Sequence, residues 1–197
     1  MTAILKVDTI QDTAGNNIIN ESSDTITIGA AGDTVNVPGT AGTGFGKVLQ
    51  TVSVETGALI TASSNVFPED DTIPQSNEGT QVMSLAITPV NANSKLHIFV
   101  NAFGSHSAST RTGIALFVDS TANALAFSCS ANNGATTMMG ASLNYILTSA
   151  STDARTYKIR MAGMQSSGTL SFNGQSGARK FGGVASSSII IMEILTW

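Results

Sequence analysis

Ser186-Ser187-Ser188-Ile189-Ile190-Ile191-Met192-Glu193-Ile194-Leu195-Thr196-Trp197 is the stretch on which the fold turns. Successive side chains of a strand point to opposite faces, which puts Ile189, Ile191 and Leu195 on one side with Glu193, and Ile190, Met192 and Ile194 on the other. Both faces are apolar. A half-solvated antiparallel strand alternates apolar with polar, whereas a strand apolar on both faces is covered on both. One cover is a second sheet; the other is either more of the same chain or another subunit.

Working outward, the composition favours contact over solvent. Asp, Glu, Lys and Arg make up 11% of the 197 residues, under half of the roughly 25% usual in soluble domains. The uncharged surface left over is Ser, Thr, Asn, Gly and Ala, which suits packing into an assembly or contact with sugars and suits nucleic acid poorly. The net charge of −4 hides a segregation: residues 1–78 set ten acidic side chains against Lys6 and Lys47, a local sum of −8. Residues 79–197 set Asp119, Asp153 and Glu193 against seven basic ones, a local sum of +4. Cys129 is the single cysteine, which excludes an intrachain disulfide and a thiolate zinc cluster; its apolar neighbours predict a buried, inert thiol. The opening Met1-Thr2-Ala3-Ile4-Leu5-Lys6 lacks a basic region followed by an apolar run, and no stretch reaches membrane-spanning length, so synthesis in a cytosol is expected.

The first segment repeats itself. Asp8-Thr9-Ile10, Asp24-Thr25-Ile26-Thr27-Ile28 and Asp33-Thr34-Val35-Asn36-Val37 each run from Asp-Thr into β-branched alternation, predicting short strands separated by turns at Asn16-Asn17 and Ala30-Ala31-Gly32. So few rungs cannot bury a face alone and must lean on a neighbour. Gly39-Thr40-Ala41-Gly42-Thr43-Gly44-Phe45-Gly46-Lys47 then reads as a flexible joint. It is not a phosphate loop, because Ala41 and Val48 stand where a P-loop needs Gly and Ser or Thr, and strand pattern follows where a helix is required. The predicted organisation is an N-terminal arm over 1–46, a connecting strand over 47–64 and a head over 65–197.

Across the head, strands are predicted at 81–88, 95–103, 112–118, 124–129, 139–147, 155–161, 169–172 and 188–195, with no helical periodicity. Asn132-Asn133-Gly134 and Asn173-Gly174 read as hairpin turns, and Asp119-Ser120-Thr121-Ala122 closes another. Tyr157-Lys158-Ile159-Arg160-Met161 alternates, turning Lys158 and Arg160 one way and three apolar groups the other. This spacing predicts an all-β fold, a jelly-roll β-sandwich.

The order of several short motifs resembles a known family. Ile73-Pro74 with Glu78-Gly79-Thr80, Ile87-Thr88-Pro89 with Asn93-Ser94-Lys95-Leu96, Ala115-Leu116-Phe117-Val118-Asp119-Ser120, Thr156-Tyr157-Lys158-Ile159 and the C-terminal Ser188 to Ile194 are similar to C1q/TNF-like jelly-roll heads of phage and prophage virion proteins. Ile4-Leu5-Lys6-Val7-Asp8-Thr9-Ile10-Gln11-Asp12-Thr13-Ala14-Gly15 resembles the opening of phage structural proteins. The resemblance implies a homotrimer with the last strand near the threefold. It makes Ile189, Ile191, Glu193, Leu195 and Trp197 candidate trimer contacts, and Ile4, Val7, Ile10, Ile18, Ile26 and Ile28 candidate virion-docking residues. The partners it implies are a major capsid protein or tail component, and host surface polysaccharide, in a virion assembled in the host cytoplasm. Two roles follow: a capsid decoration or cement protein, or a short tail fibre or adhesin.

No catalytic constellation stands out in the sequence. Glu69, Asp70 and Asp71 are adjacent in an extended loop and point apart, unlike a glycosidase pair; as oxygen donors they are a possible cation loop. His97 and His106 have no second ligand or nucleophile at a useful spacing, and Gly-x-Ser-x-Gly is absent. Neither an enzyme nor a cofactor is expected, nor a nucleic acid or membrane partner. Arg111, Arg155, Lys158, Arg160, Arg179 and Lys180 are candidates for meeting an acidic polysaccharide, an acidic virion surface or Glu193, without exposed aromatics beside them.

Overall fold

The computed structural model describes residues 9–11, 17–22, 25–28, 47–130, 135–164 and 168–195. The chain divides into two compact units, 1–45 and 46–197.

In the first unit, β1 (Thr9–Gln11), β2 (Asn17–Ser22) and β3 (Thr25–Ile28) form a three-stranded antiparallel sheet in chain order. β1 and β3 fall on the first two Asp-Thr repeats, whereas Asn17 opens β2 instead of sitting in a turn. The third repeat, the turn at 30–32 and the glycine joint up to Gly46 lie outside the described residues.

In the second unit the strands are β4 (Val48–Thr56), β5 (Ile60–Ser64), β6 (Thr80–Ile87), β7 (Lys95–His106), β8 (Thr112–Val118), β9 (Ala126–Cys129), β10 (Met139–Thr148), β11 (Arg155–Gly163), β12 (Gly168–Phe172), β13 (Gly174–Gln175), β14 (Ala178–Arg179) and β15 (Ser187–Ile194). The pairing is nested. β4 pairs with β15, β5 with β12, β6 with β11, β7 with β10 and β8 with β9, all antiparallel. First with last, second with second-last and inward to the middle is the jelly-roll connection, and it deals the strands into two sheets. One sheet runs β4-β15-β7-β12-β5 with β10 on the far edge of β7; the other runs β6-β11-β8-β9. Residues 47–64, read as a connector, are thus β4 and β5, integral to the sandwich.

Period-two patterning fills the space between the sheets. Leu96, Ile98, Val100, Leu143, Ile189 and Ile191 from one sheet meet Met83, Ile114, Leu116, Tyr157, Ile159 and Met161 from the other, all buried. Tyr157 carries a hydroxyl into this core with no hydrogen-bond partner among the described residues, and burial pushes its pKa up to about 12 against a smaller opposing effect of Arg155.

Two strands are apolar on both faces, and the chain treats them differently. β8 is buried along its whole length: Ile114 and Leu116 face the core, while Ala115 and Phe117 pack with Phe67 from the loop before β6. Gly113 is what lets this cover close, since a Cβ there would lie 2.4 Å from the Phe127 ring, which meets Phe67 edge-on at 5.4 Å between ring centres. Among the described residues β15 has no such lid.

Several turns depart from expectation. Asn173 does adopt positive φ (53°), but it makes a corner between β12 and β13; the hairpin turn is at Ser176 and Gly177, between β13 and β14. Asp119 (φ 51°) closes the β8–β9 connection as expected. The turn at 132–134 lies outside the described residues.

Candidate functional site

The site begins with the face of β15 that the core does not use. Its neighbours follow from register: Ile190 lies opposite Phe99 of β7, and Met192 opposite His97. Across β7, Phe99 faces Asn144 and His97 faces Ile146 of β10. Ser188, Asn101 and Ser142 form the next row, with Ser142 Oγ 2.7 Å from Asn101 Oδ1. Phe103 comes last, its ring over Gly140, where a Cβ would lie 3.2 Å from it. Ile146 is 58% exposed, Phe99 37% and Ile190 36%, and Met192 and Ile194 are half-buried. Ile190 and Phe99, with Ile146 diagonal to Phe99, therefore form a partly exposed apolar patch across three adjacent strands, interrupted on the same face by His97, Asn101, Ser142 and Asn144.

The candidate trimer contacts divide accordingly. Ile189, Ile191 and Glu193 are fully buried within the chain's own sandwich, so another subunit cannot reach them; the strand presents Ile190, Met192 and Ile194 instead. The reason is register: Ile189 and Ile191 sit opposite Val54 and Val52 of β4 and opposite Val100 and Ile98 of β7, all turned to the core or its margin. Leu195 is half-buried, its N–H donating to Lys47 at 2.9 Å; Trp197 lies outside the described residues. Of the candidate docking residues, Ile10 is exposed, Ile18 belongs to β2 and Ile26 and Ile28 to β3, and Ile4 and Val7 lie outside the described residues.

Glu193 is a buried carboxylate with a full set of donors. Oε1 accepts from Ser94 Oγ (2.6 Å) and Asn91 N (3.0 Å), Oε2 from Gln50 Nε2 (2.6 Å), and Val90 N lies 2.9 Å from both oxygens. Burial pulls its pKa up, but the Ser94, Gln50, Val90 and Asn91 hydrogen bonds outweigh that and hold it below the ordinary carboxylate value. It ties the β6–β7 loop to β15.

A second polar knot joins β7, β12 and β15. Asn173 is fully buried; its Nδ2 donates to the Thr56 and Ala58 carbonyls, and its Oδ1 accepts from Ser187 Oγ at 2.6 Å. Ser187 Oγ in turn accepts from Phe103 N at 2.9 Å. The edge of β7 changes partner here, from β15 to β12.

The remaining candidates scatter. His97 lies on the outer face; His106 is buried, its Nδ1 accepting from Ala108 N at 3.2 Å, and burial lowers its pKa. Glu69 pairs with Arg111, and Asp70 accepts from Thr72. Among the described residues no group of three or more His, Cys, Asp or Glu is gathered to hold a metal. Cys129 is exposed, contrary to expectation, because β9 is an edge strand.

Most of the basic set is used internally. Arg155 pairs with Asp119, Lys158 donates to the Asp119 carbonyl, Arg160 to those of Glu78 and Gly79, and Lys95 to Thr148 Oγ1. Arg179 and Lys180 alone of the head's seven have no such partner among the described residues. Directly after them Phe181 is 73% exposed and Val184 84%, so an exposed aromatic does accompany the cations. No exposed aromatic is expected from the sequence beside these cations, on the ground that the Phe residues fall within apolar strands; Phe181 does not, and the signal missed was Gly182-Gly183 beside it.

No family model and no curated protein matches this chain. Solved structures do. The Eiger TNF protein of S. frugiperda aligns with a TM-score of 0.42 at 10% identity, covering 75% of this chain and 94% of its own. The infectious bursal disease virus Gx strain structure aligns at 0.33 and 14% identity, over 75% of this chain and 37% of that one. A tailspike protein 4 domain of bacteriophage CBA120 aligns at 0.28 and 13% identity, over 64% and 19%. The likeness is one of fold.

Proposed function

We propose that this chain is a non-enzymatic structural protein of a virion that assembles as a homotrimer through the outer face of its β15 sheet. The observation that carries the reading is the contrast between the two doubly apolar strands. β8 has its second face covered by Phe67 of the same chain, whereas the second face of β15, with Phe99, Ile146 and Ile190 beside it, has no intramolecular cover among the described residues. An apolar sheet face of this kind is stable in water when a copy of itself lies against it. The low charge content fits a surface spent on subunit and particle contacts.

Within that reading we favour a capsid decoration or cement protein, whose acidic arm docks on the particle while the head faces outward. Its support is the resemblance of residues 4–15 to phage structural proteins. Cryo-electron microscopy of the particle tests it: many copies on the capsid surface, and a capsid that ruptures more easily without the protein, support decoration. A copy number matching the tail structures overturns it.

A short fibre or adhesin is the second reading, favoured by Arg179 and Lys180, which have no ion-pair partner among the described residues, beside exposed Phe181. Purified protein that neither binds host cells nor blocks infection would dismiss it.

A further inference from the structure

The loop from β14 to β15 holds the residues that nothing else in the head explains. Three consecutive residues, Phe181, Gly182 and Gly183, take positive φ of 51°, 65° and 88°. Glycine adopts that region freely; a phenylalanine there is strained. Strain of this kind is usually offset by burying the side chain, yet the Phe181 ring stands in solvent. The loop is held firmly all the same: Val184 N donates to the Phe181 carbonyl at 3.2 Å and Gly183 N to that of Lys180 at 3.0 Å. Gly57, on the β4–β5 corner, lies so close beneath that a Cβ there would sit 2.3 Å from the Gly183 oxygen. The guanidinium of Arg179 lies over Gly183 from the other side.

A hydrogen-bonded turn thus presents two cations without an ion-pair partner among the described residues, an aromatic face and Val184 together. Unpaired Arg and Lys call for anions. The footprint is four side chains, far short of the roughly 20–30 residues a side of a stable protein interface, which argues for a slender, repeating ligand met one unit at a time. A nucleic acid is disfavoured by the net charge of −4 and by a single aromatic platform.

We propose that Arg179, Lys180, Phe181 and Val184 form a binding tip for uronic-acid polysaccharides, the two cations on sugar carboxylates and the Phe181 ring against the C–H face of a pyranose. The proposal deepens the adhesin reading by naming its ligand class; the contact itself needs one chain, and copies of the chain multiply it through avidity.

The test uses the full chain and four probes: polygalacturonate, neutral dextran, polyaspartate and oligothymidylate. Binding to polygalacturonate alone is expected. Arg179→Gln combined with Lys180→Gln should weaken it by about tenfold or more. Phe181→Asn, which keeps both charges and suits positive φ, should weaken it roughly two- to tenfold while leaving thermal stability equal or higher. Equal binding to polyaspartate or oligothymidylate, no binding to polygalacturonate, or full binding by Phe181→Asn would each overturn the proposal. Sedimentation of every variant separates this from assembly. A loop variant that keeps the wild-type mass and loses the polysaccharide reports on the tip. A variant of the outer β15 face that changes mass but still binds a short oligogalacturonide reports on the trimer.

Discussion

Ser94 donates its hydroxyl to Oε1 of Glu193 at 2.6 Å, joining residues 99 positions apart inside the sandwich. The contact converts what reads in sequence as one polar interruption of an apolar strand into an anchor for the β6–β7 loop. Because the hydrogen bonds hold the Glu193 pKa below its unfolded value, its contribution to stability is complete above the ordinary carboxylate pKa. That contribution is lost as pH falls through the depressed folded value. Thermal melts of wild type should therefore decline across the acidic range, and Glu193→Gln should flatten that part of the profile. Glu193→Ala, which strands the donors of Gln50, Val90, Asn91 and Ser94, should destabilise by about 2–3 kcal/mol at neutral pH.

The two faces of β15 should respond oppositely to substitution. Ile189→Ala removes core contacts and should lower folding stability by about 2–5 kcal/mol in urea unfolding, leaving self-association intact in whatever remains folded. Ile190→Lys should leave the circular dichroism spectrum unchanged and abolish association by placing a charge in the proposed interface. If the Ile190 variant associates like wild type, the outer face is not the contact.

Asn173 should tolerate no conservative replacement. Ala cannot supply the Thr56, Ala58 and Ser187 hydrogen bonds and is strained at a φ of 53°. A loss of about 2–3 kcal/mol is expected in equilibrium unfolding, and Asn173→Gly should recover only the backbone part.

Cys129 should react with a thiol reagent in the native protein. Its exposure on edge strand β9 predicts rapid, complete labelling without denaturant, against slow labelling limited by unfolding if the thiol were buried.

How much of this was legible beforehand follows from what period two can encode. The alternation in Tyr157-Lys158-Ile159-Arg160-Met161 assigns faces unambiguously, and the structure buries Tyr157, Ile159 and Met161 while Lys158 and Arg160 reach for carbonyls. A strand apolar on both sides carries no such label, and Ile189 and Ile190 were indistinguishable until Val54 and Val100 in the neighbouring strands set the register. Glu193 misled for the same reason: a lone carboxylate in an apolar strand reads as a trimer contact, and its donors come from residues 99 to 143 positions away. Phe181 was illegible because its exposure comes from a backbone turn and not from hydrophobic pattern; only the adjoining Gly182-Gly183 hinted at it. Residues 48–54 did read as strand from their own pattern; what that pattern could not show is that β4 is a member of the sandwich, because its partner β15 lies at the other end of the chain.

Sedimentation equilibrium of the full chain at micromolar concentration bears most directly on the claim that the outer face of β15 meets copies of itself. The account predicts a species of three times 20.2 kDa; a stable particle of 20.2 kDa under the same conditions would contradict it.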